Sequence, residues 1–249
     1  MKHIFAVDSA EKLRQYQQFV SEIQPELDDY IHFLSNEYAA ADLPRAIVWT
    51  DSTTATSLIS DIPIPAYTNE FRVVMCPEPD SWREVYLKQL DGLPESPARQ
   101  ALQDYYSSLS YHHVMQILGH ELAHHSQWFL DEFSSDTSNG IWFEEGMAEY
   151  ISRRYFLTEG EFNAEAHYNQ QLVTMLNGVY GGHSLEDFGA ATYEGDYASI
   201  FFEYWRSFLA VNRLVDAHGG NVRAVFAAYH QWARSGSGQT LSDWFQIRD

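Results

Sequence analysis

The sequence predicts an α+β fold, and three observations lead to that class. Short segments rich in β-branched and aromatic residues, which favour strands, occur in the first 80 residues of the 249-residue chain. Apolar residues with helical spacing occupy its beginning and almost all of it after residue 142. Hydrophobic residues make up 45% of the chain and no low-complexity linker divides it, so residues 1–249 are predicted to form one packed domain.

The first half of the chain contains the predicted strands. Asp8 and Glu11 resemble a capping box, and an amphipathic helix follows. Pro25 ends this helix or begins the next one, which continues toward Ala40. Two strands are then predicted, at residues 47–49 and 71–76. The prolines at positions 63 and 65 lie between them and suit an edge or a loop.

Helices dominate the rest. A short helix at 82–90 either covers a cleft or simply connects its neighbours, and Ser96-Pro97 begins another by the usual N-terminal preferences. A further helix is expected from Ser110. The helices predicted after it, separated by glycines, are 142–157, 161–177, 196–216 and 220–233.

The pattern H-E-x-x-H at residues 120–124 is the first indication of chemistry. On a helix His120 and His124, four residues apart, share one face at about 6 Å, where they can bind one metal ion. Glu121 lies beside them and can hold a water molecule. The remaining nearby histidines, His125 and the pair at 112–113, are interpreted as structural.

A second segment, W-F-E-E-G-M-A-E-Y, carries Glu145 and Glu149, again four residues apart. Twenty residues separate His124 from Glu145, enough to end one helix, turn through 131–140 and return with a second. Glu145 can then be the third metal ligand, and Glu149 can accept the ring N–H of a ligating histidine. Three protein ligands leave one position open, as in catalytic zinc sites.

Together the two segments resemble the gluzincin metallopeptidases, in which H-E-x-x-H is followed by a helix carrying W-x-x-E-G-x-x-E or a close variant. The likeness covers residues 110–157. Because the spacing is slightly longer than in the aminopeptidase branch, the chain is similar to the clan rather than to that branch. The family's ligand precedes the glycine, so the resemblance selects Glu145 over Glu144.

The resemblance implies a zincin-like fold with one zinc ion per chain. Residues 1–109 would form a helix and sheet lobe, 110–157 the metal-binding helices and 158–249 a helical lobe, with zinc between the lobes. Glu121 would be the general base for a zinc-bound water. The Tyr-small-small-apolar helix at Tyr197 is similar to the one that stabilises the oxyanion in such peptidases, and Tyr193 and His183 are the alternatives.

Composition excludes other functions. The formal charge of −20 argues against a nucleic-acid partner, which needs clustered Lys and Arg; it indicates solubility or an acidic cleft for basic peptides. The lone Cys76 fits a reducing cytosol, and the chain has neither the apolar length of a signal peptide nor that of a membrane span. A cytoplasmic protein is expected.

The expected activity is hydrolysis of a peptide or protein substrate. The aminopeptidase motif Gly-x-Met-Glu-Asn is not found near Ala66-Tyr67-Thr68-Asn69-Glu70. An extended substrate held along an edge strand, at 71–76 or just before it, is therefore expected. The alternatives are a catalytically silent binding protein of the same fold and an enzyme that acts on a non-peptide amide.

Overall fold

The computed structural model of the chain describes residues 1–60, 63–130, 133 and 140–247. The chain divides into two compact units. The first comprises Met1–Phe129 and Ile151–Leu157, and the second comprises Leu130–Tyr150 and Thr158–Asp249. In the described part of the chain, no helix has the length and apolar character needed to cross a membrane. The predicted turn over 131–140 lies outside the described residues, apart from positions 133 and 140.

The α+β class is confirmed, because a small mixed sheet lies in the first unit. Its strands are β1 (Lys2–Ala6), β2 (Ala46–Thr50), β3 (Ala66–Thr68) and β4 (Arg72–Met75), in the order β1-β2-β4-β3. β1, β2 and β4 are parallel, and β3 pairs antiparallel with β4. β2 and β4 fall on the two predicted strands, whereas β1 and β3 were not expected from the sequence.

The edge of this sheet differs from the first expectation. Residues 71–76 cannot form an open edge, because β4 pairs with β2 on one side and with β3 on the other. Among the described strands the edge position on that side belongs to β3, the segment just before. The sequence hid β3 because it has only three residues and follows two prolines.

The first helix, α1 (Ala10–Tyr38), runs without a break through Pro25, so the expectation that Pro25 ends or restarts a helix is wrong. Proline removes one backbone donor, but tertiary packing of the helix outweighs that loss. Ser9 is the N-cap residue in place of Asp8, and its hydroxyl accepts the N–H of Lys12 at 3.1 Å. The buried face consists of Tyr16, Val20, Ile23, Leu27, Tyr30, Leu34 and Tyr38.

Of the other helices of the first unit, two start where the capping signals predict, whereas the helix predicted at 82–90 begins three residues earlier, at Pro79, and the short helix at Ser52–Thr54 was not expected. Ser96 caps one of them by accepting the N–H of Arg99 at 3.1 Å, and Ser110 precedes the helix that carries the histidines. A single turn of π-helix follows the short α2. In chain order these helices are α2 (Ser52–Thr54), α3 (Pro79–Lys88), α4 (Pro97–Ser107) and α5 (Tyr111–Ala123).

The second unit is helical in its described part. The four predicted helices agree with the observed ones to within three residues at each end. Two short 3₁₀ helices, Leu185–Asp187 and Ala190–Glu194, and the last short α-helix were not expected. The observed helices are α6 (Ile141–Phe156), α7 (Glu159–Tyr180), α8 (Tyr197–Ala217), α9 (Val222–Ser235) and α10 (Leu241–Trp244). The last turns of α6, from Ile151, belong to the first unit.

Within the first unit α5 packs very closely at Gly119. A Cβ atom added there would lie 2.5 Å from Cε2 of Phe156 and 3.2 Å from Cε1 of Tyr30. The Phe156 ring cannot easily move away, because the rings of Tyr30 and Tyr155 lie 4.7 and 4.9 Å from it, centroid to centroid. The buried Tyr30 hydroxyl donates to the Gly119 carbonyl at 2.8 Å. Only glycine permits this approach, one residue before His120.

We expect Gly119→Ala to lower the free energy of unfolding by about 1–3 kcal/mol, the usual effect of overpacking a core. Gly178→Ala is the matched control: it also lies within a helix, no atom would meet its Cβ within 4 Å, and alanine should gain about 0.5–1 kcal/mol there. Urea unfolding of both variants is the measurement. A Gly119→Ala protein as stable as the wild type would contradict the close packing.

Candidate metal centre

The histidines lie at the end of a helix that is buried on every side. All residues of α5 from Val114 to Ala123 are buried, including His120 and Glu121. His124 follows the last assigned helical residue, but its backbone stays helical, with φ −56° and ψ −19°. The helical spacing between His120 and His124 is therefore kept. Polar side chains are rarely buried in this way unless they bind a partner or an ion.

The two imidazoles point at one place. The Nε2 atoms of His120 and His124 lie 3.0 Å apart, and the rings are 4.7 Å apart at an angle of 79°. Two imidazole ligands of one tetrahedral zinc ion, with bonds of 2.0–2.1 Å, have their nitrogens about 3.3 Å apart. The separation in this chain is thus close to that of a shared metal ion.

A carboxylate completes the set. One ligand atom each from His120, His124 and Glu145 lies within 4.8 Å of the other two. In the part of the chain that the structure describes, no other group of three or more His, Cys, Asp or Glu side chains meets this criterion. The donor set, two imidazole nitrogens and one carboxylate oxygen, could hold a metal ion and suits a borderline-soft divalent cation.

The position of Glu145 in the second unit depends on the glycine that follows it. A Cβ on Gly146 would collide with the backbone carbonyl of Ser207 on α8, so α6 and α8 approach closely at this point. The glycine in the E-G pair therefore has a packing role: it lets α6 lie against α8 beside the carboxylate.

The neighbouring carboxylate of Glu144 has a different partner. Its Oε1 atom accepts the hydroxyl proton of Tyr229 on α9 at 2.6 Å. Successive helical residues point about 100° apart, so Glu144 and Glu145 face different elements. The metal-binding group contains Glu145 and not Glu144.

Two tyrosines adjoin the Glu145 carboxylate. The Tyr193 hydroxyl donates to Glu145 Oε1 at 3.3 Å and lies 3.0 Å from the Tyr204 hydroxyl. Tyr204 could not be selected from the sequence, since nothing in its local pattern separates it from the other tyrosines. Tyr193, an alternative for the oxyanion role, thus has a direct contact with the carboxylate of the metal-binding group.

The other two oxyanion candidates, Tyr197 and His183, also belong to the second unit. Tyr197 is the first residue of α8, and partial burial raises the pKa of its hydroxyl. His183 Nε2 lies 2.8 Å from the buried Glu203 carboxylate, which also pairs with Arg206 at 3.3 Å. Burial raises the pKa of Glu203, while Arg206 and His183 act in the opposite direction.

Glu149, the predicted partner of a ligating histidine, is half-buried one turn after Glu145, and its role stays a prediction.

His125 points away from the metal-binding group and binds two other elements of the first unit. Its Nδ1 atom lies 3.1 Å from the carbonyl oxygen of Asp42, and its Nε2 atom lies 2.9 Å from Oγ1 of Thr68 on β3. Burial lowers the pKa of His125 to about 4, and the backbone of Asp42 only partly offsets this. The neutral ring therefore donates from Nδ1 to the carbonyl and accepts the Thr68 hydroxyl proton at Nε2.

The pair at 112–113 is found at the start of α5. His113 Nδ1 accepts the backbone N–H of Ser110 at 3.3 Å and thereby helps to cap the helix, while its Nε2 atom lies 3.4 Å from the Tyr105 hydroxyl. His113 thus has a capping contact in the structure.

Comparisons of the chain with models of protein families, with curated proteins and with solved structures return no match.

We predict that Glu145→Ala lowers the metal affinity, because it removes a ligand. The loss should exceed the about 10–100-fold that is typical when a residue outside the ligand set is changed. Glu144→Ala is the matched control, since it removes an adjacent carboxylate that belongs to Tyr229. Metal content of the purified proteins by elemental analysis, followed by titration of the metal-free proteins, gives both affinities. Equal metal binding by wild type and Glu145→Ala would contradict the three-residue site.

Proposed function

We propose that the chain is a zinc-dependent peptidase in which Glu121 is the general base. The observation that carries this proposal is the pair of imidazole nitrogens 3.0 Å apart with a carboxylate oxygen of Glu145 in reach. Zinc is the proposed ion, one per chain, because imidazole and carboxylate ligands suit it and three protein ligands leave a position open. When bound there, zinc would polarise a carbonyl and lower the pKa of a bound water.

Glu121 is the only carboxylate between the two histidines in sequence, and it is buried with them at 8% exposure. A buried carboxylate next to a metal site can take a proton from water and deliver it to a leaving amine. Glu145 cannot take over the role of general base, because its carboxylate oxygen belongs to the metal-binding group.

The edge strand β3 supports an extended peptide as substrate. Asn69 N–H bonds to the Arg72 carbonyl, and Cys76 N–H bonds to the Pro65 carbonyl. In an antiparallel pair, hydrogen-bonded and non-hydrogen-bonded positions alternate. Ala66 and Thr68 are therefore non-hydrogen-bonded positions, and their main-chain N–H and C=O groups face away from β4. Such groups can pair with the backbone of an added strand.

The proposed compartment is the cytoplasm. The single cysteine, Cys76, is a buried free thiol, and burial raises its pKa to about 11. A reducing compartment suits such a residue, and the raised pKa makes it unreactive, so it takes no part in the chemistry.

Glu121→Gln should keep the metal and lower turnover by about 10²–10⁴-fold, because it removes only the proton acceptor. The assay uses β-casein as an unfolded protein, with fragments identified by mass spectrometry and a chelator-treated sample as control. Full turnover by the metal-loaded variant would remove Glu121 from the mechanism.

If zinc-loaded wild type cleaves neither casein nor a peptide library, the binding protein of the same fold becomes the preferred function. A release of ammonia or amine from small amides by that same preparation would instead favour the non-peptide amide substrate.

The oxyanion donor can be identified by a pair of matched variants. The family likeness selects Tyr197 for this role, and the single hydroxyl proton of Tyr193 is already donated to Glu145. We expect Tyr197→Phe, at saturating zinc, to lower kcat by about 10²–10³-fold, the usual effect of losing one such donor. Tyr193→Phe should have a smaller effect on kcat. The reverse order would assign the role to Tyr193, and full activity of both variants would exclude both tyrosines.

A further inference from the structure

The last turn of α5 holds two adjacent histidines with different partners, and only one of them belongs to the metal-binding group. His124 turns its Nε2 atom towards His120, and His125 turns its Nε2 atom towards Thr68 on β3. Both residues are buried, each with 5% exposure. A buried imidazole so close to the centre but directed elsewhere calls for a separate role.

We infer that His125 and Thr68 form a positioning pair that aligns the edge strand β3 with the metal-binding helix. The inference rests on the proposed function, since the strand is useful in this way only if a peptide pairs with it. Neither residue touches the reacting atoms; the pair acts through the placement of the strand.

His125 is anchored by a hydrogen bond from its Nδ1 atom. Its Nδ1–H is used by the Asp42 carbonyl at 3.1 Å, and Asp42 lies in the segment that leads into β2. This bond fixes the ring orientation and leaves Nε2 to accept a hydrogen bond. The orientation of the ring is therefore fixed by Asp42, independently of its contact with Thr68.

Thr68 is the residue of β3 that bonds to His125. β3 has three residues, and Thr68 is one of the two whose main-chain groups face away from β4. The same residue thus has its main-chain groups on the side of β3 opposite β4, and its hydroxyl lies 2.9 Å from Nε2 of His125. A three-residue edge strand has few ladder bonds of its own, so one side-chain bond contributes a large share of its fixation.

His125 is linked to the metal-binding group through the chain itself. His125 follows His124 directly, so a shift of β3 relative to His125 is also a shift relative to the ligand next to it. A hydrogen bond of this kind contributes a factor of about three to ten in an equilibrium constant. That is the expected size of its effect on substrate binding.

The test compares Thr68→Val with Thr68→Ser. Valine keeps the β-branched shape but lacks the hydroxyl, whereas serine keeps the hydroxyl. With a quenched peptide built on a mapped casein cleavage site, we expect Thr68→Val to raise KM about three- to tenfold. Its kcat and zinc affinity should stay near those of the wild type, and Thr68→Ser should restore KM.

A second variant, His125→Asn, tests the other side of the bond. Asparagine can place an amide N–H near the position of Nδ1 and keep the Asp42 contact, but it is too short to reach Thr68. The KM of the double variant His125→Asn/Thr68→Val should be no higher than that of the worse single variant, because both changes remove the same bond. Multiplied effects, or a fall in kcat together with zinc affinity at unchanged KM, would overturn the inference.

Amide hydrogen exchange distinguishes failure of this inference from failure of the proposed function. In the metal-free protein, without substrate, Thr68→Val should speed exchange at Tyr67 about three- to tenfold. If zinc-loaded wild type cleaves no peptide, the proposed function fails and the exchange rate alone decides whether the pair holds β3. Unchanged exchange together with unchanged KM would show that the bond positions nothing.

Discussion

The close packing at Gly119 is the constraint on which the histidine end of the metal centre depends. α5 can approach Tyr30 and Phe156 at this point only because residue 119 has no side chain, and the Tyr30 hydroxyl fixes the distance by bonding to the Gly119 carbonyl. His120 is the next residue on a helix with helical geometry as far as His124. A histidine pair held by a packed helix, rather than by a loop, keeps a fixed geometry, and a metal site requires that precision.

Neighbouring residues in this chain are separated in role by direction alone. Glu144 and Glu145 are chemically identical and adjacent, yet Glu144 accepts a hydrogen bond from Tyr229, whereas Glu145 belongs to the metal-binding group and accepts one from Tyr193. The same holds for His124 and His125. In each case a turn of about 100° along the helix sends equivalent side chains to different partners. The residue type therefore indicates which interactions are possible, and the direction of the side chain on the helix decides which of two adjacent, identical residues makes them.

Much of the site could be predicted from the sequence because it depends on helical period. The spacing of four residues places His120 beside His124 whatever the rest of the chain does, and the helix bounds follow from capping and glycine signals. What the sequence could not supply depends on tertiary packing. Pro25 lies inside α1 because buried contacts hold both halves together, and β3 is too short to show a strand pattern. The contact of His125 with Thr68 joins residues 57 positions apart, and no local pattern indicates it.

The arrangement of the first unit also bears on why the histidine pair and the edge strand occur together. α5 ends beside β3, and the bond from Thr68 to His125 connects the strand to the residue next to His124. In the proposed peptidase the scissile bond must be placed precisely, so the strand that presents the peptide would have to keep its position relative to His120 and His124. A long loop would allow the two to move independently. The buried His125 ring forms one hydrogen bond to Asp42 and one to Thr68, and these two bonds restrict the movement of β3 relative to α5.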